Sequence, residues 1–479
     1  MKQDRRAFLK AAGLGGAALT LHGCTSAGGR TARRPAHRNG DDEAGAGDRP
    51  PNIVFILVDD LGYGDLGCYG SKDIKTPNID AMATGGMKFT DFYVNAPVCS
   101  PTRAGFMTGR SQQRCGAETV FTPGNLKKGL PINETTLAEE LKRGGYTTGI
   151  FGKWHLGYIE KYSPVNRGFD EFVGHLSGFL DYHTHVNPRF GYDWWDGLKK
   201  TEGQGYSTDL ISKHSMNFVR AHKDEPFFLF VSYQAPHSPY QGPDDEPLIE
   251  LKGDEVVKKK KKFTAEQRYA IYVKMVEYMD KTIGDLLQVL REEGLAENTL
   301  VMFVSDNGPS YLAGTTGGLK GGKHFLWEGG IRVPAVAYWP GKIEPGAVTG
   351  QPATILDTFP TFLALAGMKP RDNLELDGMD LRKLLLKQES LPQRALCWRY
   401  APQGQVAVRQ GKWKLIGRWN SKAKKPDFEK VKKLFDLEED PGEKNDLAEQ
   451  KPETVTKLIA AYEKWEEGIR LDHKRLERT

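Results

Sequence analysis

The stretch VCSPTRAGFMTGR, residues 98–110, combines residue types that could do nucleophilic chemistry. It offers little apolar surface for packing, and Pro101 suits the first turn of a helix, where a missing N–H costs nothing. Cys99 would then lie just outside the helix N-terminus, where free N–H groups and the helix dipole favour a negatively charged nucleophile. The alternative is a buried structural cysteine before an ordinary helix, and this stretch alone supports both interpretations.

Four other polar clusters each follow an apolar run of the kind that forms a buried strand. They are Asp59 and Asp60 after NIVFILV, Lys153 and His155 after YTTGIFG, His237 after PFFLFVSYQ, and Asp306 and Asn307 after TLVMFVS. Ligands of open α/β sheets bind at the carboxyl ends of the strands, so these clusters predict one shared site. A purely structural explanation would have to account for each cluster separately.

The acidic and amide side chains among these residues supply only oxygen ligands: Asp59, Asp60, Asp306 and Asn307. Such a set suits Ca²⁺ or Mg²⁺ rather than zinc. The adjacent acids Asp59 and Asp60 also repel each other unless a cation lies between them. Each pair taken alone could be a helix cap or a turn, and Asp306-Asn307-Gly308 alone favours a turn. Together the four residues predict a metal site.

The elements that must position this site alternate along the chain. Continuous apolar runs beginning near residues 52, 146, 226, 299 and 333 predict central parallel strands that are buried on both faces. Helical patterns lie between them: one near residues 133–144, with Asn133 as cap and Gly144 as stop, and a long amphipathic one over residues 265–294. This alternation predicts an α/β domain with a mainly parallel sheet.

The composition narrows the class of protein. The chain has 479 residues, enough for a large core and more than one domain. Its formal net charge of +5 is small, and the lysine run at residues 258–262 has no interleaved aromatic residues, so nucleic acid is not a predicted partner. Beyond Cys24 the cysteines are too few for a disulfide framework, with one pair at most: Cys68, Cys99, Cys115 and Cys397.

Residues 1–24 predict an export signal. Arg5-Arg6, followed by FLK, is similar to a twin-arginine signal, although Asp4 stands where Ser or Thr is usual. The apolar stretch of residues 11–21 is shorter than the roughly 20 residues that span a bilayer. The twin-arginine export machinery is therefore an expected partner.

The end of this signal offers two interpretations. LHGC, ending at Cys24, is similar to a lipoprotein processing box with an unusual histidine, while the alternative is a plain cleaved signal with a chance cysteine. Residues 25–50 are poor in large apolar residues and predict a disordered tether. The protein is expected to be exported, either periplasmic or lipid-anchored to the bacterial envelope.

Taken in order, the motifs resemble those of type I sulfatases. CSPTR at residues 99–103 with TGR at 108–110 is similar to the family signature Cys-x-Pro-x-Arg and its trailing segment. VDDLGYGD, GKWHLG, APHSP, SDNG, GGKHFLWEGGIRVP and LFDLEEDPGEKNDLA resemble further blocks, so the likeness covers nearly all of the chain beyond the tether. The overall pattern resembles that of the arylsulfatase and N-acetylgalactosamine-6-sulfatase group.

This resemblance implies a fold and its domain limits. An alkaline-phosphatase-like sandwich, with a large mainly parallel central sheet flanked by helices, is expected over residues 51–367. A small C-terminal α+β subdomain with an antiparallel sheet is expected over residues 368–479, where a hairpin, another strand and a closing helix are also readable from the pattern.

The resemblance also implies a modification of Cys99. In sulfatases a formylglycine-generating or sulfatase-maturating enzyme oxidises the motif cysteine to Cα-formylglycine, reading Cys99, Pro101 and Arg103 as a linear peptide. That reading accounts for their fixed offsets, which packing does not explain. The family metal is one calcium ion, and the matching ligand positions are Asp59, Asp60, Cys99, Asp306 and Asn307.

Matching motif positions assign roles in sulfate transfer. One hydroxyl of the hydrated aldehyde would attack sulfur, with Asp306 helping to remove its proton and Arg103 holding the diol. Lys153, Lys323 and the cation would hold the sulfate oxygens as charge develops. The spacing to the GGIRVP segment favours Lys323 over Lys320.

Two histidines would move protons. His237 would protonate the leaving alcohol, with Lys323 as a possible helper, and His155 would take the proton of the second hydroxyl so that sulfate departs. The expected reaction is hydrolysis of sulfate esters on sulfated polysaccharide or glycosaminoglycan-type sugars.

Residues 175–197 are the candidate element for substrate recognition. The segment is long, irregular and rich in rings, as specificity loops of α/β enzymes often are. Substrate contacts are predicted for Tyr182, His183, His185 and Arg189. The alternative is that Trp194 and Trp195 pack the loop onto the body, which is expected for at least one of them.

Two other functions remain open on sequence alone. The same lysines and metal ligands could grip a phosphate or phosphonate ester, although the complete Cys-x-Pro-x-Arg motif counts against this. A catalytically silent glycan-binding homologue is the other alternative, but it predicts losses at ligand or base positions, and none is lost.

Overall fold

The structure, a computed structural model, describes residues 49–259, 261–372 and 374–476. The predicted export signal and all but the last two residues of the predicted tether lie outside these ranges. Within them, every helix is too short or too polar to cross a bilayer.

The strands of the described ranges form one large sheet and three small ones. In chain order they are β1 (Asn52–Val58), β2 (Met87–Tyr93), β3 (Thr147–Lys153), β4 (Glu171–His175), β5 (Val186–Asn187), β6 (Gly191–Tyr192), β7 (Trp195–Asp196), β8 (Lys199–Lys200), β9 (Phe227–Ser232), β10 (Ile249–Lys252), β11 (Glu255–Lys258), β12 (Thr299–Ser305), β13 (Arg332–Tyr338), β14 (Ala347–Thr349), β15 (Ala353–Thr354), β16 (Ala395–Tyr400), β17 (Gln405–Gln410), β18 (Trp413–Asn420) and β19 (Lys425–Asp436).

The helices flank this large sheet and close the C-terminal region. They are α1 (Pro77–Thr84), α2 (Cys99–Thr108), α3 (Leu137–Arg143), α4 (Ser207–Ala221), α5 (Ala265–Glu292), α6 (Glu328–Ile331), α7 (Thr358–Leu365), α8 (Arg382–Lys387) and α9 (Pro452–Leu476). The predicted long helix is therefore present as α5, ending two residues before Gly294.

The large sheet has parallel strands at its centre. Its order is β14-β2-β13-β12-β1-β9-β3-β4-β7-β8, with β15 also paired to β2. The strands β12, β1, β9, β3 and β4 run parallel to their neighbours in this series, and all seven residues of β1 are buried. Their carboxyl ends therefore lie along one edge, which confirms the predicted α/β architecture and brings the polar clusters together.

The direction of β13 differs from the prediction. This strand pairs antiparallel with both β12 and β2 rather than extending the parallel series. The segment of β13 is as apolar as the central strands because it is buried like them. An apolar pattern predicts that a strand is buried but not whether it runs parallel or antiparallel to its neighbours.

The start of α3 also differs from the prediction. Thr136, not Asn133, is the N-cap: its side chain accepts from the backbone N–H of Glu139, and the Glu139 carboxylate accepts from the backbone N–H of Thr136. Gly144 ends the helix as expected. The capping box decides the boundary because it satisfies two helix-end donors at once.

The C-terminal region has its own antiparallel sheet, ordered β16-β17-β18-β19, as predicted. One face of this sheet packs against α9 in a small core that includes Val408, Leu458 and Tyr462. Residues of the opposite face, including Trp398 and Phe435, belong to the main hydrophobic core of the catalytic region. The sheet is thus tied to the body through its inner face.

Candidate active site

Cys99 is the first residue of α2 rather than lying just outside it, and Val98 is the N-cap. All ten residues of the helix are buried, and Cys99 is only 4% exposed. Gly105 faces the Asn95 side chain, which a Cβ would approach to 2.5 Å, so the helix needs glycine there. The helix therefore presents its N-terminus, with Cys99, to the interior of the site.

The predicted acidic ligands meet at the ends of β1 and β12. Val58 is paired in register with Ser305, so Asp59 and Asp60 emerge beside Asp306 and Asn307. The Asp60 backbone N–H donates to Asp306 Oδ1 at 3.4 Å, and Asn307 Nδ2 donates to Asp60 Oδ1 at 2.7 Å. Asp60 has a φ of 66°, which turns the chain sharply after the strand.

Each of the three carboxylates has a basic partner. Lys153, at the end of β3, is paired with Asp59. Lys323 Nζ lies 2.6 Å from Asp60 Oδ1, and Arg103 Nη2 lies 2.9 Å from Asp306 Oδ2. All of these groups are buried, so each charge depends on its partner.

Arg103 also ties α2 to the strand ends. Its Nη1 donates to Ser232 Oγ at 2.7 Å and to the Lys153 carbonyl at 3.3 Å, while Ser232 Oγ donates to the same carbonyl at 2.6 Å. Sequence reasoning missed Ser232. A polar residue at the carboxyl end of an apolar strand was the available signal.

Two of the three buried carboxylates, Asp59 and Asp306, have opposite pKa shifts. Burial alone would raise the pKa of Asp59, but Lys153, followed by His237 and Lys323, holds it well below its usual range. Burial, reinforced by the Asp59 charge, raises the pKa of Asp306 to about 7 despite Arg103. The surroundings therefore favour the charged form of Asp59 and disfavour that of Asp306.

Cys99 lies within this field of charges. Burial raises the pKa of its thiol; Lys153 and Lys323 lower it, and Asp59 and Asp306 raise it. An unmodified cysteine at this position therefore keeps its proton rather than acting as a ready thiolate.

The cluster of Asp59, Asp60, Asp306 and Asn307 at the ends of β1 and β12 is called the acidic edge here. His237 follows β9 and faces this acidic edge. Its Nε2 lies 3.7 Å from Asp60 Oδ2, and its Nδ1 contacts the Ser238 carbonyl. Phe179 stacks on its ring with centroids 5.6 Å apart. Burial, then Lys323, lowers the pKa of His237, while nearby Asp59 and Asp60 oppose that shift.

His155 lies on the other side, after β3. Its Nε2 is 3.1 Å from the Phe121 carbonyl, and its Nδ1 is buried with no hydrogen-bond partner among the described residues. Burial, then Lys153 and Arg103, holds the pKa of His155 well below its usual value. It is a neutral imidazole with one nitrogen free to accept a proton.

The oxygen ligands fit a hard cation. Asp59 Oδ1 and Asn307 Oδ1 are both buried, and neither has a hydrogen-bond partner within the described ranges. Ligand atoms of Asp59, Asp60 and His237 lie within 4.8 Å of one another, although His237 was not a predicted ligand. A divalent cation would satisfy the two orphan oxygens and offset the acidic charge.

The choice between the two neighbouring lysines follows from their contacts. Lys323 points to Asp60 at the site. Lys320 instead donates to the Glu443 carbonyl at 3.0 Å, with its ammonium 4.0 Å from the Trp327 ring centroid. The structure places only Lys323 of this pair among the charges around Cys99.

Two of the substrate contacts predicted within residues 175–197 involve fully buried side chains. Tyr182 is fully buried and donates its hydroxyl to the His237 carbonyl at 2.8 Å. His185 is also fully buried, with Nδ1 3.1 Å from the Gly203 carbonyl and its ring stacked on Trp194. Both side chains therefore pack and position this loop, and their direct contact with substrate stays a prediction.

The other two predicted contacts of this loop are more accessible. His183 is half-buried, with Nε2 3.1 Å from the Gly242 carbonyl, and Arg189 is exposed. Trp194 is 2% exposed, which agrees with the packing alternative for one of the tryptophans. Of the four predicted contacts, Arg189 is the one with an exposed side chain.

Asp181 organises this loop and was missed from sequence. Its Oδ1 accepts from the backbone N–H groups of His183 and Thr184, and its Oδ2 accepts from those of Leu248 and Ile249. The sequence did not indicate this role, because two of the four donors come from a distant segment.

Comparisons with known proteins identify the family. The sulfatase family model matches residues 51–368, and the model for the C-terminal region of N-sulphoglucosamine sulphohydrolase matches residues 321–466. N-acetylgalactosamine-6-sulfatase of Rattus norvegicus is 34% identical over 408 residues, 79% of this chain and 75% of that protein. Human arylsulfatase A is 36% identical over 414 residues, 76% of this chain and 74% of that protein.

A solved structure is similar over almost the same span. Ps i-CgsB in complex with k-i-k-neocarrahexaose has a TM-score of 0.77 and 31% sequence identity, covering 89% of this chain and 98% of that one. The chain therefore belongs to the sulfatase family and is a sulfuric ester hydrolase.

Proposed function

We propose that this sulfatase acts on sulfated carbohydrates and uses a modified residue 99 and one calcium ion. Cys99 carries the proposal: it begins a buried helix, and Lys153, Lys323, Asp59 and Asp306 are all close enough to influence its thiol. A helix N-terminus facing two ammonium groups suits a nucleophile that must approach an anionic ester.

Residue 99 acts as Cα-formylglycine, made from Cys99 by a formylglycine-generating or sulfatase-maturating enzyme. Its hydrate supplies two hydroxyls on one carbon, one to attack sulfur and one to allow sulfate to leave. Arg103, one helical turn along α2, holds this group and stays fixed by Asp306 and Ser232. The Cys-x-Pro-x-Arg sequence and the raised pKa of the Cys99 thiol support modification over direct thiol chemistry.

One calcium ion fits the acidic edge. Its proposed ligands are Asp59, Asp60, residue 99, Asp306 and Asn307. When bound, the ion supplies positive charge that polarises the sulfate group and stabilises a deprotonated oxygen. The orphan oxygens of Asp59 and Asn307 support this choice of ion, because carboxylate and amide oxygens are calcium ligands.

The chain's own side chains then bind sulfate and move protons. Lys153 and Lys323 hold sulfate oxygens through their ammonium groups, and Asp306, held by Arg103, accepts the proton of the attacking hydroxyl. His237 donates a proton to the leaving sugar oxygen. The free Nδ1 of His155 accepts the proton of the second hydroxyl.

The carbohydrate substrate is supported by the relatives and by the exposed rim. One relative is named for N-acetylgalactosamine-6-sulfate hydrolysis, and the similar solved structure holds a neocarrahexaose. Arg189 on the rim could pair with a second sulfate or a carboxylate of a longer chain. Export by the twin-arginine machinery, to the periplasm or to a lipid-anchored position on the envelope, completes the proposal.

Two measurements test this function together. Peptide mass analysis of native protein should show formylglycine at residue 99, and a panel of defined sulfated oligosaccharides should reveal calcium-dependent release of inorganic sulfate. Unmodified cysteine in fully active protein would contradict the mechanism. Release of phosphate but not sulfate from matched esters would favour the phosphate hydrolase alternative.

A further inference from the structure

A second buried charge cluster lies outside the acidic edge and connects the C-terminal region to the segment that carries Lys323. We name residues 320–328, which contain Lys323, the lysine loop. The cluster consists of Glu328 at the end of this loop, Lys414 of β18, and Glu443 in the turn after β19, each 0% exposed. Lys414 Nζ lies 2.8 Å from Glu328 Oε1 and 2.9 Å from Glu443 Oε1.

Glu443 contacts both ends of the lysine loop. Its backbone carbonyl accepts from Lys320 Nζ at 3.0 Å, and its Oε2 accepts from the backbone N–H of Glu328 at 2.7 Å. The loop is also closed on itself, since the Gly329 N–H donates to the Lys320 carbonyl at 2.7 Å. Among the described residues that are distant in sequence from the lysine loop, Glu443 is the one with hydrogen bonds to both Lys320 and Glu328.

The middle of the lysine loop is attached to the site. The Lys323 N–H donates to the Pro309 carbonyl at 2.9 Å, and its ammonium reaches Asp60. We expect a shift of either loop end to displace this ammonium relative to Asp60. Displacement by about 1 Å of a group that contacts substrate can reduce turnover about 100-fold.

Glu443 is built for this position. Its φ of 51° lies in the left-handed region, and the backbone N–H of Glu443 donates to the Asp440 carbonyl at 3.1 Å. Burying a carboxylate is unfavourable unless it is paired and hydrogen-bonded, and here Lys414 and the Glu328 N–H provide both. The LFDLEEDPGEKNDLA segment thus contacts the lysine loop through Glu443, in addition to Phe435, whose ring centroid lies 5.8 Å from that of Trp327.

We propose that Glu443, held by Lys414, is a positioning residue that fixes the lysine loop and thereby sets Lys323 for sulfate binding. This inference rests on the proposed function, in which Lys323 holds a sulfate oxygen. It assigns the C-terminal sheet a direct part in the geometry of the site beyond closing the core.

The test compares Glu443→Ala with a matched control. Glu443→Ala removes the carboxylate contacts, and we expect kcat on an aryl sulfate to fall about 10- to 100-fold while KM changes less. Asp280→Ala removes a buried carboxylate that accepts from the Asn78 and Ile79 N–H groups, far along α5. It should lower the melting temperature comparably yet keep kcat within about threefold.

A double-mutant cycle separates positioning from general destabilisation. If Glu443 acts through Lys323, the loss caused by Glu443→Ala should shrink to less than about threefold in a Lys323→Ala background. An undiminished loss in that background, an unchanged kcat in Glu443→Ala, or an equal loss in Asp280→Ala would each overturn the inference. Glu443→Gln, which keeps an acceptor for the Glu328 N–H, should recover part of kcat and replaces the alanine variant if that does not fold.

Binding of inorganic sulfate gives a readout independent of turnover. Glu443→Ala and Lys323→Ala should both weaken sulfate binding, measured by calorimetry, whereas Asp280→Ala should not. If wild-type protein binds sulfate but hydrolyses no sulfate ester, the proposed function fails while this arm still decides the positioning role. Wild-type sulfate affinity in Glu443→Ala would overturn it.

Discussion

The acidic edge of the sheet and the loop of residues 175–197 both bury polar side chains, but for different reasons. At the edge, Asp59, Asp306 and Lys153 are buried because they meet one another across parallel strands. In the loop, Tyr182 and His185 are buried because they hold the loop together. The difference is that strand ends aim side chains at a common point, whereas an irregular loop must first satisfy its own backbone and rings.

Two histidines, one near each region, show that the same side chain can have different surroundings. His155 and His185 each have a buried ring nitrogen without a hydrogen-bond partner among the described residues, and His185 also stacks on Trp194 with ring centroids 4.4 Å apart. Burial is the main cause of the lowered pKa of both side chains. The two differ in position, because His155 follows the end of β3, two residues after Lys153, whereas His185 lies within the loop.

The largest expected effect comes from Cys99→Ala at the edge. Because no other residue there offers a geminal diol, we expect turnover on an aryl sulfate to fall on the order of 10⁴-fold or more. Cys115→Ala, at a second buried cysteine with 1% exposure, is the matched control and should keep turnover. Normal activity of the Cys99 variant, measured by sulfate release, would remove the edge from the mechanism.

Removing one carboxylate charge from the edge should have the next largest effect. Asp59→Asn leaves Lys153 without its anion and removes one charged ligand from a hard-cation site. Calcium affinity and turnover should each fall about 100-fold or more. Chelation should inactivate the wild type, and added calcium should restore it. Elemental analysis showing stoichiometric zinc in active protein would contradict the choice of ion.

His237→Ala should affect substrates unequally. A general acid matters most for a basic leaving group, so sugar sulfates should lose about 10²- to 10⁴-fold in kcat and activated aryl sulfates much less. The measurement is kcat on both substrate types with the same preparation. Equal losses would show that His237 binds or positions rather than donates a proton.

The loop should reveal itself through stability instead of catalysis. The pKa of His185 is lowered to about 4, mainly by burial, so its contribution to stability is present above pH 6.5 and is lost as pH falls toward 4. His185→Gln should therefore show a shallower fall in the free energy of unfolding across that window, by about 2 to 3 kcal/mol in denaturant titrations.

His222 provides the control with the opposite sign. Hydrogen bonds with Glu171 and Glu225 outweigh burial and raise its pKa, so its contribution is present below pH 6.5 and is lost as pH rises. In the His222→Gln variant, the free energy of unfolding should fall between pH 6.5 and pH 4 at least as steeply as it does in the wild type. If both variants behave alike, the burial of His185 is not the cause of that slope.

The smallest expected effect concerns the exposed tip of the loop. Arg189→Ala should raise KM for sulfated oligosaccharides about three- to tenfold and leave a small aryl sulfate unchanged, because only the longer ligand reaches the rim. Lys199→Ala, at another exposed cation in β8, should change neither. An unchanged KM for Arg189→Ala on every oligosaccharide would exclude this loop from recognition.

Much of the fold and the core of the site could be predicted from sequence, and for the same reason. Runs such as NIVFILV are apolar because both faces are covered, and a polar residue directly after one must lie at the sheet edge. The direction of β13 could not be predicted, since burial is the same for either orientation.

Features that depend on contacts between distant segments were harder to predict. Asp181 and Glu443 accept backbone N–H groups from segments more than sixty residues away, and nothing in the local pattern announces such partners. The burial of Tyr182 and His185 could not be predicted either, because ring-rich composition indicates neither a packed nor an open surface.

The complete burial of α2 constrains the proposed maturation of residue 99. An enzyme that reads Cys99, Pro101 and Arg103 as an extended peptide finds no such peptide once the helix has formed inside the core. If residue 99 is oxidised as proposed, that oxidation must precede folding, and the proposed export of a folded protein must follow both. Under this proposal, a molecule that folds first keeps an ordinary thiol and stays inactive.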